Sequence, residues 1–543
     1  MTHSSQSPST RFAAGVLLGL LVFGGGCVKR TPPTTVPPPG PAAAAVTPPT
    51  PTPAPAPARP GTIATSPGGI EALRADLSRI FGSRAFGRMQ WAVVVQSLAS
   101  GETVYSENAS KLMMPASNMK ILTLAAAAER LGWDYTYETT LLTAAPVVGG
   151  VLKGDLIVVG TGDPTIGGRG GSATRVFEDW ADRLRAAGLT GITGRIVADA
   201  RAFDPETLGA GWSWDYLGAG YAAGVSALQF NESVADVVIK PGMSAGQPAV
   251  VEVRPIESGL IADSRVTTSA GGEPDVEISR LAGSNRLVVR GTVPVGARDV
   301  VRAATVDRPA LYFARILREA LVARGIRVGG AAGEYEDVYP VPPTEPTRVL
   351  LAHQSAPLSE FARVLMRVSQ NQYAETLLRT LGARSGTGTA EAGRAVVGEV
   401  LDGWEISRDA YLQVDGSGLS RYNYVCAETL VKILRQMYGD PRHKELFVAT
   451  LPIGGQDGSI ARRFVGTAAA GNVRAKTGSI SNVRALSGYV TSADGEPLVF
   501  SIIANNFTAP QSAIDAATDE AVVRLATFTR RATDKNAPHD FNH

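Results

Sequence analysis

The chain is poor in the residues on which much hydrolytic and metal chemistry depends. Of its 543 residues only five are histidines, His3, His353, His443, His539 and His543, and only two are cysteines, Cys27 and Cys426. Two cysteines exclude both a Cys-rich zinc site and a disulfide framework. Three of the histidines lie at the chain ends, where order is scarce, and His353 and His443 read as structural or surface residues. No metal, no cofactor and no histidine-based triad is therefore expected. Charge of one sign is lacking too: 52 Lys and Arg face 50 Asp and Glu, a net +2. That balance leaves no electrostatic footprint for nucleic acid, so function has to be sought in a site.

An apolar stretch, "FAAGVLLGLLVFGGGC", follows Arg11 and is too short to span a bilayer but has the length of an export-signal core. Gly24, Gly25 and Gly26 lead into Cys27, which resembles a bacterial lipobox with Cys27 as the residue lipidated after cleavage. The place usually held by leucine is Gly24, and plain cleavage nearby is the alternative. From Thr31 to Pro60 the chain carries thirteen prolines in thirty residues. Such a composition buries no core and favours extended polyproline II, reaching ~90 Å at ~3.1 Å per residue. The expectation is an exported protein that meets a membrane only through an N-terminal lipid.

A chain of this length exceeds one ordinary core. Apolar residues at helical spacing in "GGIEALRADLSRIFGS", two strands about a Ser-Gly turn in "WAVVVQSLASGETVYS", and a helix in "PASNMKILTLAAAAERLG" open the folded body. From residue 137 to 347 short β-patterned pieces separated by Gly, Pro and Asp predominate, with helices only at "RVFEDWADRLRAAG" and "PALYFARILREALVARG". Helices resume from Pro357 and three strands follow from Asn472, closing on a helix. The expected organisation is signal 1–27, linker 28–66, first part 67–136, inserted β-rich segment 137–347, second part 348–530 and tail 531–543. The two outer parts would form one α+β domain, an antiparallel sheet flanked by helices with a helical cluster.

Three short motifs carry chemistry. Ser117 and Lys120 are i and i+3 on a helix start, one turn apart on one face, and among only nine lysines Lys120 alone has a serine at that spacing. A serine hydroxyl becomes a nucleophile when a neighbouring base takes its proton, and a buried lysine can be that base. "AKTGSI" places Lys476, Thr477, Gly478 and Ser479 on a strand. A lysine and a hydroxyl there can bind a carboxylate, Gly478 allows close backbone approach, and the Ser479 N–H can point into a site. "RVSQNQYAE" puts Ser369 and Asn371 in a turn between two helices. A second Ser-x-Asn, at Ser106 and Asn108, precedes Ser117, so chain order selects Ser369.

Ser-x-x-Lys, Ser-x-Asn and Lys-Thr-Gly in this order form the signature set of class A β-lactamases and penicillin-binding proteins. The long interval between Ser117 and Ser369, with "GTGDPTI", "SALQFNES", "DGSGLSR" and "LPIGGQDGSIARRF", makes the chain similar to the class C low-molecular-mass penicillin-binding proteins. Those are D-alanyl-D-alanine carboxypeptidases and endopeptidases whose transpeptidase-like fold is interrupted by one or two small domains. The resemblance implies acyl transfer on peptidoglycan stem peptides and acylation by β-lactams, with Ser117 as nucleophile and Lys120 as base. It further implies that Ser369 relays the proton, Asn371 binds the acyl-side amide, Lys476 and Thr477 hold the terminal carboxylate, and the N–H groups of Ser117 and Ser479 form the oxyanion hole. A side pocket would be lined by Leu419, Arg421, Ser481 and Asp199. Where the family usually has Ser-Asp-Asn this chain has Gln370, which is expected to alter helix packing and not activity. A serine β-lactamase and a non-catalytic peptidoglycan-binding protein are the alternatives.

Overall fold

The structure, a computed structural model, describes residues 69–341 and 346–530. The expected export signal with Cys27, the proline-rich linker 28–66 and the tail 531–543 lie outside them. No helix among the described residues is long and apolar enough to cross a membrane.

"WAVVV" is apolar at every position, which suits a strand covered on both faces and not an amphipathic one. Strand Gln90–Ser97 fulfils this: Trp91, Val93 and Val95 point into one core and Ala92 and Val94 into another. It lies in a five-stranded antiparallel sheet ordered Thr103–Glu107, Gln90–Ser97, Pro497–Asn505, Val483–Thr491, Arg474–Ile480. Its partner comes from the far end of the body, Gln90 opposite Asn505 and Ser97 opposite Leu498. One face is covered by helices Ile70–Phe81 and Gln511–Ala526, through Leu73, Leu77, Ile514 and Leu525.

The other face carries the helical cluster. At its centre runs helix Met119–Leu131, in which every residue from Met119 to Ala128 is buried. Apart from Lys120 and Thr123 this stretch is apolar on every face, which belongs in an interior, and its four successive alanines let helices Asn371–Ser385, Ala390–Gly403 and Ala427–Gly439 come close. Cys426 caps the last of these, 2% exposed, and donates its thiol to Ser110 O at 3.1 Å.

Strand Glu138–Thr143 leaves this body for a mixed sheet ordered Ala332–Glu334, Ile196–Asp199, Leu156–Gly160, Glu138–Thr143, Arg348–Gln354. The last strand follows residue 347, so the sheet of the insertion extends to Gln354; its partner is remote in sequence, which a reading of local pattern does not see. Further small sheets contain Val234–Lys240 and Arg286–Pro294, and helices Arg175–Ala186 and Pro309–Ala323 share their core.

Candidate active site

Ser117 sits in a 3-10 turn, Ala116–Asn118, that runs directly into helix Met119–Leu131, not in the first α-turn itself. Two glycines make room for this turn. A Cβ on Gly418 would lie 1.8 Å from Ala116 O, and one on Gly478 2.4 Å from Pro115 O. The strand that carries Lys476 is therefore pressed against the serine turn. Asn118, fully buried, fastens the two together: with its amide turned to satisfy both ends, it donates to Lys476 O at 2.9 Å and accepts from Ser487 Oγ at 2.7 Å.

Lys120 is 0% exposed and its Nζ makes three hydrogen bonds: to Ser117 Oγ at 2.9 Å, Asn371 Oδ1 at 2.6 Å and Ser417 O at 2.8 Å. Burial pushes its pKa down to about 7, against the opposing pull of the Asp415 and Glu375 carboxylates. A neutral amine has two N–H donors and one lone pair. The amide and peptide oxygens can only accept, so they take the donors, and the lone pair is left facing the one partner that can give up a proton, Ser117.

Lys476, also fully buried, donates to Ser369 Oγ and to Thr477 O, both at 2.7 Å. Burial holds its pKa well below the usual lysine value, and the Lys120 charge lowers it further. Ser369 has φ +63°, a left-handed conformation that costs a non-glycine residue energy and is held here between two helices. Asn371 is the first residue of the next helix and donates Nδ2 to Tyr221 O at 2.7 Å. Gln370 caps that helix, accepting from Gln372 N at 3.2 Å, while its amide nitrogen reaches Glu232 of the insertion. The long side chain thus keeps the capping bond a shorter residue would make and adds a link to the insertion.

Ser117, Ser369, Asn371, Leu419, Thr477, Ser479 and Ser481 line one cavity of about 400 Å³ with Tyr216, Tyr221, Gly418, Ile480 and Gln511. The Thr477 hydroxyl bonds Ser459 Oγ at 2.7 Å. Arg421 lies beside this cavity and donates to Ser481 O at 2.9 Å. Asp199 is the exception among the expected residues. It ends strand Ile196–Asp199, its carboxylate is bound by Arg201 at 2.7 and 2.9 Å, and its neighbours Ala198, Ala200 and Arg201 line a different cavity within the insertion. The insertion presents Tyr216 and Tyr221 to the serine instead. Neither histidine in the described residues reaches the site: His443 bonds Trp133 and Glu129, and His353 lies 3.8 Å from Asp163.

Two buried carboxylates behind Lys120 have no sequence signal beyond the quoted "DGSGLSR". Asp415 accepts from Gly418 N and Ser420 N, both at 2.7 Å, and from Trp212 Nε1 of the insertion at 2.9 Å. Glu375 accepts from Gly416 N at 3.0 Å and Ser417 N at 2.8 Å, and burial together with the Asp415 charge pushes its pKa up to about 7. Between them they fix the loop whose Ser417 carbonyl holds Lys120.

Gly478→Ala tests the close approach. The added methyl must push the Lys476 strand from the serine turn, and misplacing a site by about 1 Å costs on the order of 10²-fold. Acylation by benzylpenicillin, followed by stopped flow, is expected to fall by about that factor with the circular dichroism spectrum unchanged; an unaltered rate would show that the contact is dispensable.

A family model described as the D-Ala-D-Ala carboxypeptidase 3 (S13) family matches residues 73–527. A D-alanyl-D-alanine carboxypeptidase of an Actinomadura species is 35% identical over 500 residues, covering 88% of this chain and 89% of that protein. D-alanyl-D-alanine carboxypeptidase DacB of Haemophilus influenzae is 27% identical over 425 residues, 76% of this chain and 85% of that one. In structure, penicillin binding protein 4 from Haemophilus influenzae matches with a TM-score of 0.72 and 24% identity, covering 82% of this chain and 97% of that chain, and so shares its α+β fold.

Proposed function

The chain belongs to the D-Ala-D-Ala carboxypeptidase 3 (S13) family, and on that premise we propose that it is an active-serine D-alanyl-D-alanine carboxypeptidase in which Lys120 activates Ser117. The observation that carries the assignment of roles is the set of three bonds at Lys120 Nζ, of which only the one to Ser117 can reverse direction.

Ser117 Oγ attacks the carbonyl of the penultimate D-alanine while its proton passes to Lys120. The N–H groups of Ser117 and Ser479 take the oxyanion, and Ser369, bonded to Lys476, relays the proton held by Lys120 to the leaving amine, which returns Lys120 to its free base. Water then hydrolyses the acyl-enzyme. The terminal carboxylate lies at Lys476 and Thr477, the acyl-side amide at Asn371, and the stem-peptide side chain against Leu419, Arg421 and Ser481. β-Lactams enter the same first step and stop at the acyl-enzyme. Cleavage of D-alanyl cross-links, the endopeptidase reaction, uses the same groups, since only the leaving amine differs. Export, with the body held to a membrane through lipidated Cys27 and the proline-rich linker, places the enzyme beside the cell wall; one acyl chain would bind only marginally and two or more stably.

A digest of purified muropeptides, monomeric and cross-linked, read by mass spectrometry, tests the reading. Loss of one D-alanine from monomeric pentapeptides is expected, with opening of cross-linked dimers reporting the endopeptidase share. If both substrates come through unchanged while the enzyme takes up benzylpenicillin, the peptidase assignment fails. Turnover of benzylpenicillin in milliseconds would instead make the protein a β-lactamase.

A further inference from the structure

Behind the cavity wall that carries Ser479 lies a guanidinium that no motif announces. Arg484 stands opposite Ser479 in the register of strands Arg474–Ile480 and Val483–Thr491, so the two side chains leave the same face of the sheet. Its side chain is 14% exposed. Nη1 donates to Ser479 Oγ and Nη2 to Gln511 Oε1, the first residue of the closing helix. Nε faces Asp515, one turn along that helix, at 3.6 Å. Asp515 also lies 3.8 Å from Arg463. The carboxylate keeps the guanidinium behind the wall, whereas Ser479 and Gln511 are themselves part of the cavity lining.

Arginine has five donors and no acceptor. Every group bonded to it must spend an acceptor, so Ser479 Oγ and Gln511 Oε1 are both used on the hidden side. Because the hidden side is met by an oxygen in both cases, the Ser479 O–H and the two N–H bonds of the Gln511 amide are turned away from Arg484, free to donate into the cavity. A serine and a glutamine, each able to accept or donate, are thereby oriented with their donors toward the cavity. Next to the Lys476 amine and the Thr477 hydroxyl, such a surface fits a ligand whose oxygens only accept.

We propose that Arg484 is a positioning residue that orients Ser479 and Gln511 as donors, so that the cavity selects substrates ending in a free carboxylate, with Gln511 as a further contact to it. This rests on the placement of the substrate's terminal carboxylate beside Lys476 and Thr477 given above, and it adds two residues to that placement.

The test compares Arg484→Met, which keeps length but has no donor, with Arg484→Lys, which keeps a donor, on an acyl-D-alanyl-D-alanine peptide and its C-terminal amide. A hydrogen-bonded arrangement that recognises a charge is worth about 10- to 100-fold. Arg484→Met is therefore expected to raise KM for the free acid by about that factor, with kcat little changed and the amide unaffected; Arg484→Lys should recover part of the loss. The same preference is read from the rates at which benzylpenicillin and its methyl ester acylate the protein, so inactivity of the wild type on peptides would sink the peptidase assignment and still leave Arg484 judged. Should Arg484→Met fold poorly, Gln511→Leu, which leaves the guanidinium in place, is expected to lower the acid preference by a smaller factor. Equal losses on acid and amide, or no loss on either, would overturn the proposal.

Discussion

Ser117→Ala is expected to gain no mass on incubation with benzylpenicillin, while the wild-type chain gains one intact penicillin molecule and keeps it for hours. Of the other serines in the cavity, Ser369 alone also has a buried lysine beside it, and it is the alternative the variant excludes. Ser369 Oγ is held by the Lys476 amine, and Ser479 Oγ accepts from Arg484. Ser481, though it lines the cavity, has neither of the two buried lysines beside it. Loss of the attacking oxygen in serine enzymes costs on the order of 10⁶-fold, so the peptidase reaction should vanish with the adduct. The substitution removes one partner of Lys120 and leaves its bonds to Asn371 and Ser417 in place, so the fold should survive. Intact-mass spectrometry decides: a penicillin adduct on the alanine variant would mean that the nucleophile lies elsewhere.

Lys120→Ala should fold but acylate about 10²- to 10⁴-fold more slowly, the range over which a positioned base contributes. The pH dependence gives a second reading. Burial brings Lys120 to about pKa 7, so below that pH the amine is an ammonium with no lone pair, and above it the free base faces Ser117. Acylation of the wild type should therefore rise with pH through about 7 and level off, standing at pH 5 about 100-fold below its plateau. In Lys120→Ala the remaining slow reaction should lose this limb. Stopped-flow acylation between pH 5 and 9 checks both; a wild-type profile flat across that range would remove Lys120 from the role of base.

Much of this site was legible from short-range pattern alone. Ser117 and Lys120 are separated by one helical turn, and Lys476 to Ser479 share a single strand, so local spacing was enough to bring out each motif, and chain order to relate them. What stayed hidden depends on docking between distant segments. Asp415 and Glu375 are ordinary acids in sequence and become the setting of Lys120 only because the loop Gln413–Asn423 folds over helix Asn371–Ser385. Tyr216 and Tyr221 reach the cavity from the insertion, for which neither hydrophobic period nor motif predicts an orientation. Asp199 stands apart from the serine cavity for the same reason: a strand-end aspartate beside an arginine looks alike whichever cavity its sheet faces. For the fold, the doubly covered strand Gln90–Ser97 announced its burial by an unbroken apolar run, yet nothing in that run names Pro497–Asn505 as its neighbour.

That pairing places a condition on time. A chain is made from its N-terminus, so Gln90–Ser97 and the serine turn are present long before Pro497–Asn505, the strand that joins Gln90–Ser97 to the hairpin carrying Lys476. Non-local pairing of this kind is slow and leaves apolar edges open to wrong partners while it waits. It also means that the hydrolase is latent while it is being made: the Ser117 hydroxyl and the Lys120 amine are both present, but the hairpin of Arg474–Ile480 and Val483–Thr491 has no sheet to join until Pro497–Asn505 arrives. A chain stalled or clipped before that strand would carry its nucleophile and no activity, and the enzyme would wake only once its last strand is made.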